Sequence, residues 1–441
     1  MFVASVKLLL PAKLKVKTTE ALSKSLVRVY LSVLFLWVFT TSKVMNSTWA
    51  GDDWPNSQTP YWVQWRYGEI SLKNVWNEAM YWNNEWMNGQ GRFYPLQWIE
   101  SRFVFSYFRE LWQYKLVEMI ILLISGLLLA YLVYLISESH EVTVIFLLLL
   151  SITIQFRRDF DPHLSYAFLV PSLLVKVFLS SIILFYAIKI NSKRIKFCFS
   201  LLAGVIYFGA MSTYEYAFLL FPVLGITILS SIHKKFKSLN TEKSLSLKIK
   251  KYFKEAWVFI PTFVAWVGYS ILVFGILRRN ATAISGNYVL GVSWSSVPVF
   301  FKQIFLPLPL NNFNPSLDLR YLEKPGNLFL LLAVTCVLFV FFYRSYSQSF
   351  YLSSNSKKEK QVFTKKESTF FGYLLGFFML LSVGFMLSLQ PAWWGVADTR
   401  HGYLGVLIQE YGFTIILSFL IVRYFNRMKI WDRYLEKGKR K

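Results

Sequence analysis

Along this chain, apolar runs of about 15 to 27 residues recur, separated by polar segments that are mostly short. About 20 apolar residues in a row are what a helix needs to cross a bilayer. The pattern predicts an all-α, polytopic helical membrane protein with ten spans. They run roughly over Leu26 to Thr41, Leu116 to Ile136, Val142 to Phe156, Leu164 to Ile190 and Phe197 to Met211, and then over Ala217 to Ile232, Trp257 to Leu277, Leu328 to Tyr343, Phe370 to Leu389 and Tyr403 to Tyr424. Several fall below the length of a full crossing, and the third and fifth carry the weakest pattern. Such spans are tolerated where protein covers the backbone. A single integral membrane domain over 1–441 is expected, with no internal repeat of the inverted-transporter kind.

Composition agrees with the pattern. Hydrophobic residues make up 55% and charged residues 16%, with a mean hydropathy of +0.41. Soluble domains carry about 25% charge, so a soluble enzyme is excluded. A net charge of +24 would suggest nucleic acid if the cations shared one face. They flank the apolar runs on alternate sides instead, which is an orientation signal, and no nucleic-acid partner is expected. With the N-terminus inside, the inner segments and the span ends next to them hold 32 of the 48 Lys and Arg residues and the longer outer segments 15, while Lys176 lies deeper within a span. This bias puts both termini of the multi-pass protein in the cytoplasm. The basic loops 233–254 and 344–369 then read as cytoplasmic, lying near anionic lipid. Cys198 and Cys336 form neither a disulfide framework nor a metal motif. The first apolar run follows a long basic arm and shows no small-residue cleavage pattern, so no cleaved signal peptide is expected.

The chemistry gathers on the outer side. The loop 43–115 is far longer than a connector needs, and Asp52-Asp53 follows the first span directly. Adjacent carboxylates repel each other, so one of them needs a perturbed pKa or a cationic partner. A carboxylate there can act as a general base; equally, the pair can be a solvated turn at a helix start. Further on, Ile70 to Trp86 and Leu96 to Trp112 carry helical spacing rich in aromatics, as expected of two helices lying in the membrane interface. The turn Asn88 to Pro95 between them places Arg92 near the membrane surface. A second large outer loop covers 278–327. The sequons at Asn46 and Asn280 both fall on the outer side and are explained by chance.

The short outer connections are crowded with charge. They are Arg157-Arg158-Asp159-Phe160-Asp161-Pro162-His163, then Ser212 to Tyr216 with Tyr214-Glu215, and Gln390 to His401 ending in Arg400-His401. Charges at this depth must be paired or must line a wet cavity. All these clusters open on one face, which favours a shared site. There the arginines and histidines could cradle a phosphate, and Lys176 could reach the same cavity by snorkelling. Gln409 and Glu410, inside the last apolar stretch, read either as cavity-lining groups or as packing polars.

The acidic pair after span one, the juxtamembrane helices and about ten spans resemble the GT-C superfamily of membrane glycosyltransferases, which use polyprenyl-phosphate-linked sugars. The loop 157–163, Tyr214-Glu215 and Arg400-His401 resemble bacterial members related to O-antigen glucosyltransferases. The resemblance implies an inverting transfer on the periplasmic side, from a polyprenyl-phosphate-sugar donor to a glycan or lipid-linked acceptor. Asp52 or Asp53 would be catalytic. Arg92, Arg157, Arg158, Asp161, His163, Lys176, Tyr214, Glu215, Arg400 and His401 would bind the lipid phosphate or the sugar. Such a leaving group requires no metal, although neighbouring carboxylates could bind a divalent one. An O-antigen polymerase or ligase, or a flippase of a lipid-linked saccharide, remains the alternative.

Overall fold

The computed structural model describes residues 18–49, 51–154, 156, 158–159, 163–165, 167–237, 252–282, 284, 291, 294, 296–305, 360–388, 390, 401–402 and 405–438. The chain divides into two units, Met1–Leu36 with Asp318–Phe363, and Trp37–Leu317 with Thr364–Lys441. The first contributes helical residues 18–36 and 360–363. The second holds the outer loop, most of the spans and every contact described below.

Helices make up the molecule. In chain order they are α1 Thr18–Thr41, α2 Asp53–Asn56, α3 Thr59–Tyr67, α4 Leu72–Gln90, α5 Pro95–Tyr107, α6 Leu111–Ser137, α7 His140–Thr153, α8 Val170–Lys189, α9 Lys193–Met211, α10 Tyr216–Leu219, α11 Phe221–Lys237, α12 Ile260–Ser270, α13 Ser296–Phe305, α14 Lys360–Ser388 and α15 Val406–Gly438. Two residues of β1, Arg158–Asp159, pair in parallel with β2, His401–Gly402. Among the described residues, eight helical stretches are long and apolar enough to cross a membrane: Leu26–Asn46, Leu111–Ser137, Val170–Lys189, Lys193–Met211, Tyr216–Phe236, Tyr252–Asn280, Thr369–Met386 and Val406–Phe425.

Eight of the ten expected spans therefore have a counterpart. The expected span Leu328 to Tyr343 lies outside the described residues, as do most of 278–327 and 344–369. The expected span Val142 to Phe156 is the 14-residue α7, about 21 Å long at 1.5 Å per residue and short of a ~30 Å hydrocarbon core. It packs instead along α6 and α15, with Thr153 Oγ1 3.2 Å from Thr414 Oγ1. The fourth span starts later than the apolar run suggests, because Pro171 occupies the first turn of α8, where its missing N–H costs nothing. Leu164, Ser165 and Ala167 to Leu169 thereby fall in the connection before the span rather than within it.

Within the second unit the spanning helices α6, α8, α9, α11 and α12 pack on one another. α8 packs on α6, α9 and α11, and α9 packs on α12. Small residues set the closest approaches, as expected where lipid supplies no hydrophobic drive between helices. A Cβ on Gly204 would sit 3.0 Å from Pro261, and one on Gly412 would sit 2.5 Å from the Leu380 backbone, so α9–α12 and α14–α15 meet nearly backbone to backbone. At the end of the body opposite the 43–115 loop, Lys196 and Lys235 share Glu255 at 2.7 and 2.8 Å.

The 43–115 loop is largely helical. Ser71 caps α4 by accepting from the Asn74 N–H, and α4 ends at Gly91, which is left-handed at φ 65°. Gly91 is required twice over, since an added Cβ would also lie 2.6 Å from the Arg278 Cα. The aromatic residues of α4 and α5 divide between two surroundings. Trp82, Trp86 and Trp98 gather on one another beneath Arg102 and Arg92. Trp76 and Tyr81 are exposed, together with Tyr61, Trp62 and Trp65 of α3, a helix that the periodicity did not reveal.

The orientation is testable. In a background with Cys198 and Cys336 replaced by Ser, a membrane-impermeant thiol reagent applied outside is expected to label a cysteine at Ser57 and to miss one at Ser238. The reverse pattern overturns the orientation.

Candidate functional site

Asp52 and Asp53 are adjacent in sequence but occupy different surroundings. The Asp52 carbonyl accepts from the Asn56 N–H at 3.0 Å and the Asp53 carbonyl from the Ser57 N–H at 2.8 Å, so the short turn α2 fixes both. Asp52 is exposed, whereas Asp53 is 2% exposed and faces the buried phenol of Tyr114. Trp49 packs on Tyr114 and Phe105, with ring centroids 5.1 and 5.9 Å apart. Asn56 anchors the turn from the other side by accepting from Arg102 at 3.0 Å. Burial pushes the Arg102 guanidinium down to about 10, against the pull of Glu78.

Arg92 and Glu215 are partners of each other. Arg92 Nε and Nη2 donate to the two Glu215 oxygens, each at 3.1 Å, and both side chains are buried. This planar fork ties the α4–α5 turn to the α9–α10 turn. Leu96 adds a backbone bond to the Ser212 carbonyl at 3.1 Å. Burial alone would raise the Glu215 carboxyl, but the Arg92 and Arg278 guanidiniums outweigh it and hold it below the ordinary carboxylate value. Burial drives the Tyr94 phenol well above its ordinary value, with Arg92 opposing and Glu215 adding. Tyr94 accepts from Arg92 Nε. Its ring lies 5.6 Å from that of Tyr214, which meets Tyr216 edge-on at 4.8 Å. Arg92 thus sits in an aromatic cage. The expected ligand contacts Arg92, Tyr214 and Glu215 are brought together, with the ion pair turned inward on itself.

His163 is fully buried, its Nε2 3.0 Å from Glu410 Oε2 in the second turn of α15. Beside it, Lys115 is 2.9 Å from Glu118 and donates to the Leu164 carbonyl. Lys176 Nζ lies 2.8 Å from Glu100 Oε1, and Ser172 donates to Oε2 of the same carboxylate at 2.6 Å. Arg158 and His401 face each other as backbone partners across β1 and β2, which joins the 157–163 and 400–401 connections. Their side chains, and Arg157, Asp161 and Arg400 entirely, lie outside the described residues. Gly405, just before α15, would place a Cβ 3.5 Å from the Tyr216 ring, so the start of α15 adjoins the Tyr214–Glu215 turn. The described parts of these connections therefore lie at one end of the helical body.

The charges that sequence reasoning missed as a site are Glu100, Arg102, Lys115, Glu118 and Arg278; Glu410 had been weighed without being resolved. The missed signal was the Lys115/Glu118 pair at i,i+3 opening an apolar span. Buried charges in such a place need partners. Among the described residues, no three His, Cys, Asp or Glu side chains gather as a metal site.

A polytopic helical membrane protein with its polar connections gathered at one end is the class that these features define. No protein-family model matches the chain, and no curated protein or solved structure matches it.

Proposed function

We propose that this protein is a membrane glycosyltransferase that moves a sugar from a polyprenyl-phosphate donor to a glycan or lipid-linked acceptor at the outer, periplasmic face of the inner membrane. The observation that carries this reading is the pairing of an exposed carboxylate, Asp52, with a buried one, Asp53, on a fixed turn directly after a span. A lipid-borne sugar would be presented at that height. The acceptor hydroxyl gives its proton to Asp52 as its oxygen attacks the anomeric carbon. The bond from that carbon to the phosphate oxygen breaks, its electron pair leaves on the lipid phosphate, and the anomeric configuration inverts. Asp53 positions the turn. Arg157, Arg158 and Arg400 neutralise the departing phosphate, a form of electrostatic stabilisation that typically carries much of the rate.

The test compares surface glycan by mass analysis with and without the gene, followed by transfer with purified protein. A mass loss of one sugar per acceptor unit supports the transferase. An unchanged glycan, together with lipid-linked saccharide crossing vesicles that hold the protein, supports a flippase. A loss of chain length supports a polymerase. Charge-assisted hydrogen bonds contribute roughly 1.5 to 3 kcal/mol, so Arg400→Ala is expected to weaken donor binding by about ten- to a hundredfold with folding unchanged. Full donor affinity in Arg157→Ala, Arg158→Ala and Arg400→Ala alike removes this cluster from the site.

A further inference from the structure

Arg278 ends the span Tyr252–Asn280 and follows a π-helical turn, Ile271–Leu277. Such turns are rare, and many of them sit at functional sites. Its backbone is pinned. Gly91 lies directly against it, and Thr282 donates a backbone bond to the Asn88 carbonyl at 3.1 Å. The side chain is only 14% exposed, and its sole acid at ion-pair distance among the described residues is Glu215, 3.6 Å from Nη2.

That carboxylate is already occupied, because Arg92 holds both of its oxygens at 3.1 Å. Among the described residues, two guanidiniums thus meet at one carboxylate, and Arg278 has the more distant share of it at 3.6 Å. Arg278 Nε is buried and has no hydrogen-bond partner among the described residues. Phe274 covers the guanidinium, its ring centroid 5.1 Å from Cζ. Arg279 follows and is exposed. Two adjacent arginines at the outer end of a span also run against the positive-inside bias read from the rest of the chain. A largely buried cation that shares its counter-ion is costly, and a planar guanidinium suits a phosphate oxygen.

We propose that Arg278, with Arg279 at its rim, is an anion site that takes the phosphate ester of a membrane lipid. Glu215 keeps Arg92 for the fold, so the anion reaches Arg278 alone. The polyprenyl carrier is one source of that phosphate and bulk anionic phospholipid the other. Only the choice of the polyprenyl source rests on the transferase reading.

The experiment uses the full chain in nanodiscs and reads binding of a polyprenyl monophosphate, with the neutral polyprenol as control and phosphatidylglycerol as competitor. Arg278→Gln is expected to weaken binding by about ten- to a hundredfold, leave polyprenol binding unchanged and keep the melting temperature near wild type, since Glu215 retains Arg92. Arg278→Lys should restore part of the affinity. Competition by equimolar phosphatidylglycerol would identify the bulk headgroup as the source, and no competition would identify the carrier. Equal affinity in wild type, Arg278→Gln and Arg278→Lys overturns the anion site, as does a wild type that binds neither phospholipid nor polyprenyl phosphate. Binding that depends on Arg278 in a protein that transfers no sugar leaves the site standing and overturns the transferase alone.

Discussion

Asp52→Asn is expected to lower sugar transfer by about 10²- to 10⁴-fold, the usual cost of losing a general base, while protein level and donor binding stay near wild type. Asparagine keeps the shape and part of the hydrogen bonding but cannot accept the acceptor's proton. Asp52 is the exposed member of the pair and Asp53 the buried one, so only Asp52 can meet an incoming hydroxyl without the turn opening. Asp53→Asn acts differently. It removes a charge facing Tyr114 and should disturb the turn, which a fall in thermal stability alongside the fall in rate would reveal. The measurement is an in vitro transfer assay on both single variants and the double, with melting curves for each. Full activity in the double variant sinks the catalytic reading and leaves a helix-start turn as the better account.

Glu215→Gln is expected to be among the most destabilising single changes at the outer end. Removing one partner of a buried ion pair typically costs about 3 to 5 kcal/mol, because the remaining charge is stranded. Here Arg92 would lose its bidentate partner and Arg278 the one acid within ion-pair distance among the described residues. Replacing both Arg92 and Glu215 by Met strands only Arg278 and should cost less than the single change. A melt in nanodiscs that places Glu215→Gln level with wild type would show that the pair does not hold the α4–α5 turn to the α9–α10 turn. The pH dependence has a definite sign. Glu215 is held below its ordinary value in the folded protein. Its contribution is therefore complete above the ordinary glutamate value of about 4.3 and is lost as pH falls through the lowered native one.

What the sequence could and could not reveal divides along physical lines. Apolar run length needs only the cost of a backbone in hydrocarbon, so the spans near 120, 180 and 415 are legible without any tertiary information. Pro171 shifted a boundary because local backbone chemistry outweighs hydropathy at a helix start. The aromatics of α4 and α5 misled in part, since a tryptophan at headgroup level and one stacked under a guanidinium have the same spacing along a helix. The pairing of Arg92 with Glu215 bridges 123 positions, and nothing local records it.

The sequence by itself determined the class of molecule: an all-helical, multi-span membrane protein whose charged connections fall between apolar runs, and a carboxylate pair placed just after the first of them. Bilayer thickness and the need to satisfy the backbone act on each segment separately, so one-dimensional patterning suffices. The tertiary structure alone decided which charges are spent on each other. It placed Asp53 inside and Asp52 outside, closed Arg92 onto Glu215 and His163 onto Glu410, and left Arg278 with a shared counter-ion. Whether a buried charge holds the fold or receives a ligand depends on what lies within about 4 Å of it in space, and distance in space is set by packing.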